Sequence, residues 1–277
     1  MEIYKHDNEI EIRNISDFDL EKTFECGQCF RWNMDDAGDY TGIVNGKAVK
    51  LRSCAGSIFI SGSYSDFDKY WLRYFDLDRD YHKIRQQLCI DDFMKEATAF
   101  GAGIRLLRQD KWEALCSFII SQNNNIPRIK TIINALCNEY GDVVEFNGEC
   151  LYTFPSAEKL AGLSVDCLNN LRCGYRAEYI IGAAKAVAEG KIDLDAIAMI
   201  PSDDARSALK LLHGVGDKVA DCVMLFGLHM LDTFPRDVWM KRAVEKYYGP
   251  DFDPKIFRPY AGIAQQYIFY YIRTAKL

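Results

Sequence analysis

Two glycines that bracket a single valine, Gly214-Val215-Gly216, constrain the fold of this chain more than any other segment. Before them, residues 204–212 place apolar side chains at the spacing of one buried helical face. After them, residues 219–228 are apolar on nearly every side, as in a helix inside a core. Because glycine adopts positive φ at little cost, the chain can turn sharply between the two patterns. The sequence therefore predicts a helical hairpin over about residues 202–228.

This hairpin would carry two chemical functions. Unpaired N–H groups at the start of the second helix, beside small glycines, can bind a phosphate without reading a nucleic acid sequence. Lys218 would lie in the first turn of that helix, where the helix dipole and partial burial disfavour a charged ammonium. A neutral amine is a nucleophile, so Lys218 is a candidate catalytic residue. The alternative is an ordinary solvated lysine.

A carboxylate follows Lys218 by 19 residues, at Asp237. Pro235 disfavours a helix immediately before it, and residues 238–247 have helical spacing, so Asp237 is predicted to cap a helix N-terminus. A carboxylate held ionised there could stabilise a cationic sugar, or it could serve only as a cap.

Composition restricts the class of protein. Of 277 residues, 49% are apolar and 27% are charged, which is typical of a protein with one or two globular cores. The net charge of −6 argues against broad coating of DNA, although a few phosphates could still bind at helix ends. Without a signal peptide or a membrane-length apolar run, we expect an intracellular protein, cytoplasmic or in the nucleoid if bacterial. Its ten cysteines are expected to be reduced, with no zinc or iron–sulfur spacing.

Short strand-like runs and turn signals occupy residues 9–64. Asn45-Gly46 separates two of these runs and predicts a two-residue β-hairpin. The pattern becomes helical at residues 66–92. The sequence therefore predicts an α+β protein with an antiparallel β domain at residues 1–85 and a helical region at residues 86–277.

Candidate binding residues lie between the predicted helices and on the last one. Gln122-Asn123-Asn124-Asn125 precedes a helix at residues 126–140 and could simply cap it. Tyr175 and Arg176 precede another helix, where a packed tyrosine and a solvated arginine would be ordinary. Gln265 and Phe269 share one face of the last helix, predicted over residues 260–276, where the ring could be core packing.

Together these segments resemble a known family. Leu212-x-Gly214-Val215-Gly216-x-Lys218-x-Ala220, with Pro235-x-Asp237 downstream, resembles the helix-hairpin-helix (HhH-GPD) DNA glycosylases of base excision repair. Four further segments are similar to the 8-oxoguanine DNA glycosylases and occur in that family's order: Cys26-Gly27-Gln28-Cys29-Phe30-Arg31-Trp32, Asn123-Asn124-Asn125-Ile126-x-Arg128, Gly174-Tyr175-Arg176-Ala177 and Ala261-Gly262-x-Ala264-Gln265-x-x-x-Phe269. The resemblance implies an N-terminal antiparallel β-sheet domain followed by an all-helical HhH-GPD domain.

The resemblance implies a bifunctional DNA glycosylase and abasic-site (AP) lyase that excises 8-oxoguanine from double-stranded DNA, preferably opposite cytosine. The target carbon is shielded inside a duplex, so the nucleotide must be flipped out. Lys218 would attack that anomeric carbon, and Asp237 would stabilise the charge on the sugar. The resulting Schiff base would permit β-elimination, chemistry that requires no metal or other cofactor.

Family resemblance also assigns a base pocket. Gln265 would read the Watson–Crick edge of the flipped base, between Phe269 and Cys222 on its two faces. The Gly27 carbonyl would accept the N7 hydrogen of 8-oxoguanine and repel the N7 lone pair of guanine, a difference of about 1–3 kcal/mol. The alternative is that Gly27 forms a strand bulge.

Other residues are assigned to the duplex. Asn123 would fill the hole left by the base, Arg128 and Arg176 would bond to the widowed cytosine, and Tyr175 would act as a wedge. The hairpin Gly214-Val215-Gly216 would bind phosphate, and its backbone carbonyls could bind a monovalent cation. We expect a monomer.

Two positions depart from the family pattern, and three rival functions fit parts of the chain. Trp239 replaces a histidine that contacts the lesion's phosphate in human-type enzymes, and Asp217 would favour the charged form of Lys218. A glycosylase for alkylated bases would not require the lysine, and a thymine-glycol or adenine-specific enzyme would carry iron–sulfur cysteines. A non-catalytic DNA-binding protein would use the hairpin only to hold phosphate.

Overall fold

An antiparallel sheet forms the N-terminal part of the computed structural model, which describes residues 1–275. Its strands pair in the order β1-β2-β6-β5-β4-β3. Their bounds are Glu2–Lys5 (β1), Glu9–Arg13 (β2), Asn33–Met34 (β3), Tyr40–Val44 (β4), Lys47–Cys54 (β5) and Ser57–Ser61 (β6). The predicted antiparallel sheet is therefore confirmed.

Two-residue turns set the register of the central strands. Asn45 and Gly46 both have positive φ, 50° and 75°, which is the backbone of a turn whose twist matches that of paired strands. Ala55 and Gly56 repeat this geometry between β5 and β6. The hairpin predicted from Asn45-Gly46 is confirmed.

One core lies between the sheet and the helical segments that cover it. It combines Ile10, Ile12, Leu51 and Ile60 of the strands with the aromatic side chains of a helical run. That run consists of α2 (Tyr64–Asp66), a π-helical turn (Phe67–Trp71) and α3 (Leu72–Tyr74). A helix that was not predicted from the sequence, α1 (Leu20–Glu25), packs here through Phe24, which stacks on Trp32 with ring centroids 4.1 Å apart.

Helices dominate the rest of the described chain, as predicted, and none of them is long and apolar enough to span a membrane. They are α4 (Tyr81–Leu88), α5 (Asp92–Phe100), α6 (Lys111–Ile120), α7 (Ile126–Tyr140), α8 (Ala157–Ala161), α9 (Val165–Asn169), α10 (Arg176–Ala188), α11 (Leu194–Ile197), α12 (Ser202–Leu209), α13 (Asp217–Phe226), α14 (Val238–Tyr248) and α15 (Ala261–Thr274). Strands β7 (Val143–Phe146) and β8 (Glu149–Tyr152) form a separate hairpin, and a 3-10 turn covers Pro254–Phe257. The last helix was predicted to reach Lys276, which lies outside the described residues.

A second core lies among the helices and includes side chains from the N-terminal part of the chain. It includes Cys26 and Phe30 along with side chains from Tyr81 to Ile272. Helix α4, in which the predicted domain boundary at residue 85 falls, packs in this second core. The segment after α1 therefore contributes to both cores, with Cys26 and Phe30 packed among the helices and Cys29 and Trp32 packed with α1 on the sheet. The division at residue 85 stays a prediction.

A buried carboxylate joins the two parts. Asp76 is fully buried and accepts hydrogen bonds from Arg79 Nε (2.6 Å), Arg108 Nε (2.9 Å) and the Tyr81 hydroxyl (2.9 Å). Burial alone would raise the pKa of Asp76, but His229, Arg79 and Arg108 outweigh that effect and hold the pKa well below its ordinary value. Because the folded state favours the carboxylate, its contribution to stability is present above the unfolded pKa of about 3.9 and is lost as the pH falls through the lower folded pKa.

Replacement of this carboxylate tests its role. Asp76→Asn should lower the free energy of unfolding by about 3 kcal/mol at pH 7, because the guanidiniums of Arg79 and Arg108 lose their buried partner. Urea denaturation measures the change, and the wild type should lose stability below pH 4 more steeply than the variant. Asp92→Asn is the matched control, since Asp92 is exposed and pairs only with Lys95. Equal losses in both variants would contradict this role.

Candidate active site

Of the two hairpin glycines, only Gly214 has a backbone conformation and a packing environment that exclude a larger residue. Gly214 has a φ of +85°, and a Cβ there would lie 2.3 Å from the ring of Tyr179. Gly216 has an ordinary φ of −93°, and a Cβ there would meet nothing within 4 Å. The predicted helical hairpin is confirmed, and of its two glycines Gly214 is the one that supplies the positive φ of the turn. Because Gly216 has no side chain, the backbone at the N-terminus of α13 is accessible from the solvent.

Lys218 lies half-buried in the first turn of α13. Its Nζ donates to Ser121 Oγ at 3.0 Å and lies 5.7 Å from the centroid of the Phe118 ring. Phe118 stacks on Phe226 of α13, with ring centroids 5.2 Å apart, so the packing of α6 on α13 directs the amine inward. On its open side, Lys218 borders a cleft of about 620 Å³.

The preceding acid does not pair with this amine. Asp217 Oδ1 lies 2.6 Å from Lys210 Nζ, and this hydrogen bond, followed by the lysine's charge, lowers the pKa of Asp217. The Asp217 carboxylate is therefore paired with Lys210, the C-cap residue of α12.

Asp237 caps α14 as predicted, since its Oδ1 accepts the Met240 N–H at 2.8 Å. Cys222 lies four residues after Lys218 on α13 and is buried. Burial raises the pKa of the Cys222 thiol to about 11, while Lys218 opposes this shift and Asp237 adds to it. Cys222 therefore lies within electrostatic reach of both Lys218 and Asp237. Trp239, 49% exposed, follows Asp237 on the surface.

Gly27, Gln265 and Phe269 form what we call the base slot. A Cβ on Gly27 would lie 3.5 Å from Phe269 Cε1 and 3.3 Å from Ile126 Cδ1. Gly27 has a φ of +87° in the loop after α1, so it is not a strand bulge. Gln265 is buried, and its Oε1 has no hydrogen-bond partner among residues 1–275. A buried amide oxygen without a partner costs about 1–3 kcal/mol of folding free energy. Its presence here therefore indicates a polar ligand that supplies the missing hydrogen bond.

Two further amides, which the sequence analysis did not assign, hold the Gly27 loop. Gln266 Nε2 donates to the Cys26 carbonyl at 2.9 Å. Gln28 is fully buried, donates to two backbone carbonyls at 2.7 and 2.8 Å, and accepts a backbone N–H at 2.9 Å. The only sequence signal was their position, in the 26–32 segment and beside Gln265. These bonds fix the backbone on both sides of Gly27.

A second group of predicted residues meets at the surface. Asn123 Nδ2 donates to the Tyr175 hydroxyl at 3.0 Å. Arg176 is 5% exposed and donates through Nε to the Gln122 carbonyl at 2.7 Å, so it is a buried support of this turn and not a solvated charge. Arg128, in the first turn of α7, is exposed and does not join this hydrogen-bonded group.

The connection between α6 and α7 links all of these groups. Ser121 at its start accepts the hydrogen bond from Lys218, and Gln122 accepts those from Arg176. Ile126 at its end contacts the position above Gly27. The predicted catalytic amine, base slot and duplex-facing residues are thus supported by one short segment. Within residues 1–275 no cluster of three metal-ligating side chains occurs.

Comparison with known families covers most of the chain. Residues 11–115 match the family described as 8-oxoguanine DNA glycosylase, N-terminal domain, and residues 116–257 match the HhH-GPD superfamily base excision DNA repair protein. The N-glycosylase/DNA lyase of Saccharomyces cerevisiae is 32% identical over 265 residues, which cover 85% of this chain and 69% of the yeast protein.

Two solved structures are similar over the full length. MBOgg1 in complex with a low-affinity DNA ligand has a TM-score of 0.95 and 42% identity, covering 100% of this chain and 99% of that one. The 8-oxoguanine glycosylase/lyase of Clostridium acetobutylicum, in complex with double-stranded DNA containing cytosine opposite 8-oxoG, has a TM-score of 0.94 and 36% identity over the same shares. This chain belongs to the 8-oxoguanine DNA glycosylase family of the HhH-GPD superfamily of base excision DNA repair proteins.

Proposed function

We propose that the chain removes 8-oxoguanine from double-stranded DNA, preferably opposite cytosine, and then cleaves the abasic strand. The observation that carries this proposal is the pairing of an inward-directed amine with a separate polar slot. Lys218 is supported by Ser121 and Phe118. The unpartnered amide oxygen of Gln265 belongs to the turn of α15 that precedes Phe269, and Phe269 in turn borders Gly27. A non-catalytic DNA-binding hairpin would have no use for the second feature. We also propose that the enzyme acts inside the cell, where its substrate is, and as a monomer.

The chemistry begins once the nucleotide is flipped out of the duplex. The lone pair of the Lys218 amine attacks the anomeric carbon while the bond to the base breaks, and the bonding electrons leave with the base. Asp237 stabilises the positive charge that develops on the sugar. Loss of a proton from nitrogen and opening of the sugar ring produce a Schiff base. Removal of a C2′ proton then expels the 3′ phosphate.

Selection of the damaged base is a matter of one proton. The oxidised base carries hydrogen on N7, whereas guanine has a lone pair there. A backbone carbonyl only accepts, so the Gly27 carbonyl attracts the lesion and repels guanine. Gln28 and Gln266 hold the surrounding backbone in place, which makes that discrimination a property of a rigid site.

Contacts with the duplex use few charged side chains. We assign phosphate binding to the hairpin Gly214-Val215-Gly216, where α13 begins. Asn123 fills the hole that the flipped base leaves in the duplex, and Tyr175 acts as a wedge beside it. Arg128 bonds to the unpaired cytosine. Arg176 holds this turn through the Gln122 carbonyl, and its predicted contact with the cytosine stays a prediction from family resemblance. A monovalent cation at the hairpin carbonyls stays a prediction from family resemblance.

Substitution of the nucleophile is the direct test. Lys218→Gln should reduce nicking of a duplex with one 8-oxoguanine on the order of 10³-fold or more, and should abolish the adduct that borohydride traps. Undamaged and alkylated duplexes, assayed beside it, separate this activity from the rival glycosylases. Lys191→Gln, in an exposed turn, should nick at the wild-type rate. Nicking that persists in Lys218→Gln would remove Lys218 from the role.

The two hairpin glycines form a matched pair of tests. Gly214→Ala should lower the free energy of unfolding by about 2–4 kcal/mol, because it adds backbone strain and a clash with Tyr179. Gly216→Ala should cost at most about 1 kcal/mol, since an alanine at this N-cap meets no protein atom. It should nevertheless weaken binding of damaged and undamaged duplexes about tenfold in a fluorescence anisotropy titration. Unchanged affinity would show that no phosphate approaches Gly216.

Gly27→Ala tests the base slot. The added Cβ would stand beside Phe269 at a positive φ, where it displaces the base and strains the carbonyl. We expect affinity for an 8-oxoguanine duplex to fall about 10- to 100-fold, and affinity for a duplex with a tetrahydrofuran abasic analogue to fall by less than about threefold. Equal losses on the two duplexes would place the role of Gly27 outside base recognition.

A further inference from the structure

Arg273 extends the row formed by Gln265 and Phe269 on α15. The three residues are spaced by four and therefore share one helical face, each about 6 Å further along the axis. The Arg273 guanidinium carbon lies 5.7 Å from the centroid of the Phe269 ring. Its Nη1 is 3.2 Å from the place that a Cβ on Gly27 would occupy. The guanidinium thus lies across the end of the base slot that is opposite Gln265.

The charge of Arg273 is not used within the described protein. Among residues 1–275 its side chain forms neither a salt bridge nor a hydrogen bond, and it is exposed. Arg176 is by contrast buried, and its Nε and Nη1 donate to backbone carbonyls. Arg273 therefore presents free donors next to Gly27 and Phe269.

The proposed function, on which this inference rests, orients the base relative to these donors. A purine stacked on Phe269 with its Watson–Crick edge at Gln265 extends its long axis along α15, and the far end of that axis is C8. The Gly27 carbonyl independently takes the hydrogen on N7, the atom bonded to C8. Both constraints bring C8 to the end of the slot where Arg273 lies.

We propose that Arg273 donates a hydrogen bond to the C8 carbonyl oxygen of 8-oxoguanine and is a specificity residue of this enzyme. Guanine carries only hydrogen on C8 and offers no acceptor there. Gly27 detects the proton on N7, whereas Arg273 detects the oxygen on C8, so the lesion is recognised through two atoms that oxidation changes. A guanidinium suits this task because it stays charged and presents several donors in a fixed plane.

A pair of substrates isolates this contact. 8-Thioguanine keeps the hydrogen on N7 and replaces the C8 oxygen with sulfur, which is a weaker acceptor. Single-turnover excision of 8-oxoguanine and of 8-thioguanine should be measured for the wild type, Arg273→Ala and Arg273→Lys, with cleavage of a preformed abasic site in the same preparations. The ratio of the two excision rates is independent of the fraction of active enzyme.

Arg273→Ala should slow excision of 8-oxoguanine about 10- to 100-fold and excision of 8-thioguanine much less, so that the wild-type preference for oxygen disappears. Arg273→Lys should retain part of the preference, because one ammonium donor replaces the planar fork. An equal loss on both bases, or an equal loss on the abasic site, would overturn the proposal and identify Arg273 as a phosphate contact. A wild type that cuts abasic sites but excises neither base would instead remove the proposed function, and this inference with it.

Discussion

The site depends on the burial of two glutamine amides around one glycine. Gln28 lies in the Gly27 loop and ties it to the backbone of Thr23 and Arg105, while Gln266 reaches the loop from α15, and these hydrogen bonds are formed away from water. Breaking a hydrogen bond in the protein interior costs more free energy than breaking one at the surface, because water does not replace the lost partner. The loop therefore has little freedom to move. The role that we propose for the Gly27 carbonyl, to distinguish a proton from a lone pair, requires that rigidity. The sheet domain thus contributes to recognition by holding a backbone atom.

The amine of Lys218, the proposed nucleophile, is also held by residues that pack the core. Phe118, Phe226 and Ser121 belong to the packing of α6 on α13, and the same packing directs Lys218. The segment that leaves α6 then supports Arg176 and reaches the Gly27 loop through Ile126. The residues that we propose for base recognition, for nucleophilic attack and for contact with the duplex are therefore connected by packing, so a change in the packing of α6 on α13 would affect all three.

A net charge of −6 is compatible with DNA repair because the proposed contacts are local. Backbone N–H groups at a helix N-terminus bind phosphate without adding net charge. The arginines in our proposal act singly, each through hydrogen bonds to particular atoms of a base. Arg176 and Arg273 illustrate two uses of one residue type. The first is buried and stabilises the protein's own turn, while the second is exposed beside the slot with its donors unoccupied.

The sequence alone determined the helical hairpin, the antiparallel sheet, the cap at Asp237 and the family, because these follow from periodicity, turn residues and motifs that are local along the chain. It also placed Gln265 and Phe269 on one face. Only the tertiary structure decided that α1 and Gln28 support Gly27, that Arg176 is buried and that Arg273 lies beside Gly27. These facts arise from contacts between residues up to 240 positions apart, such as Gln266 with Cys26, and no local pattern encodes a bond of that range.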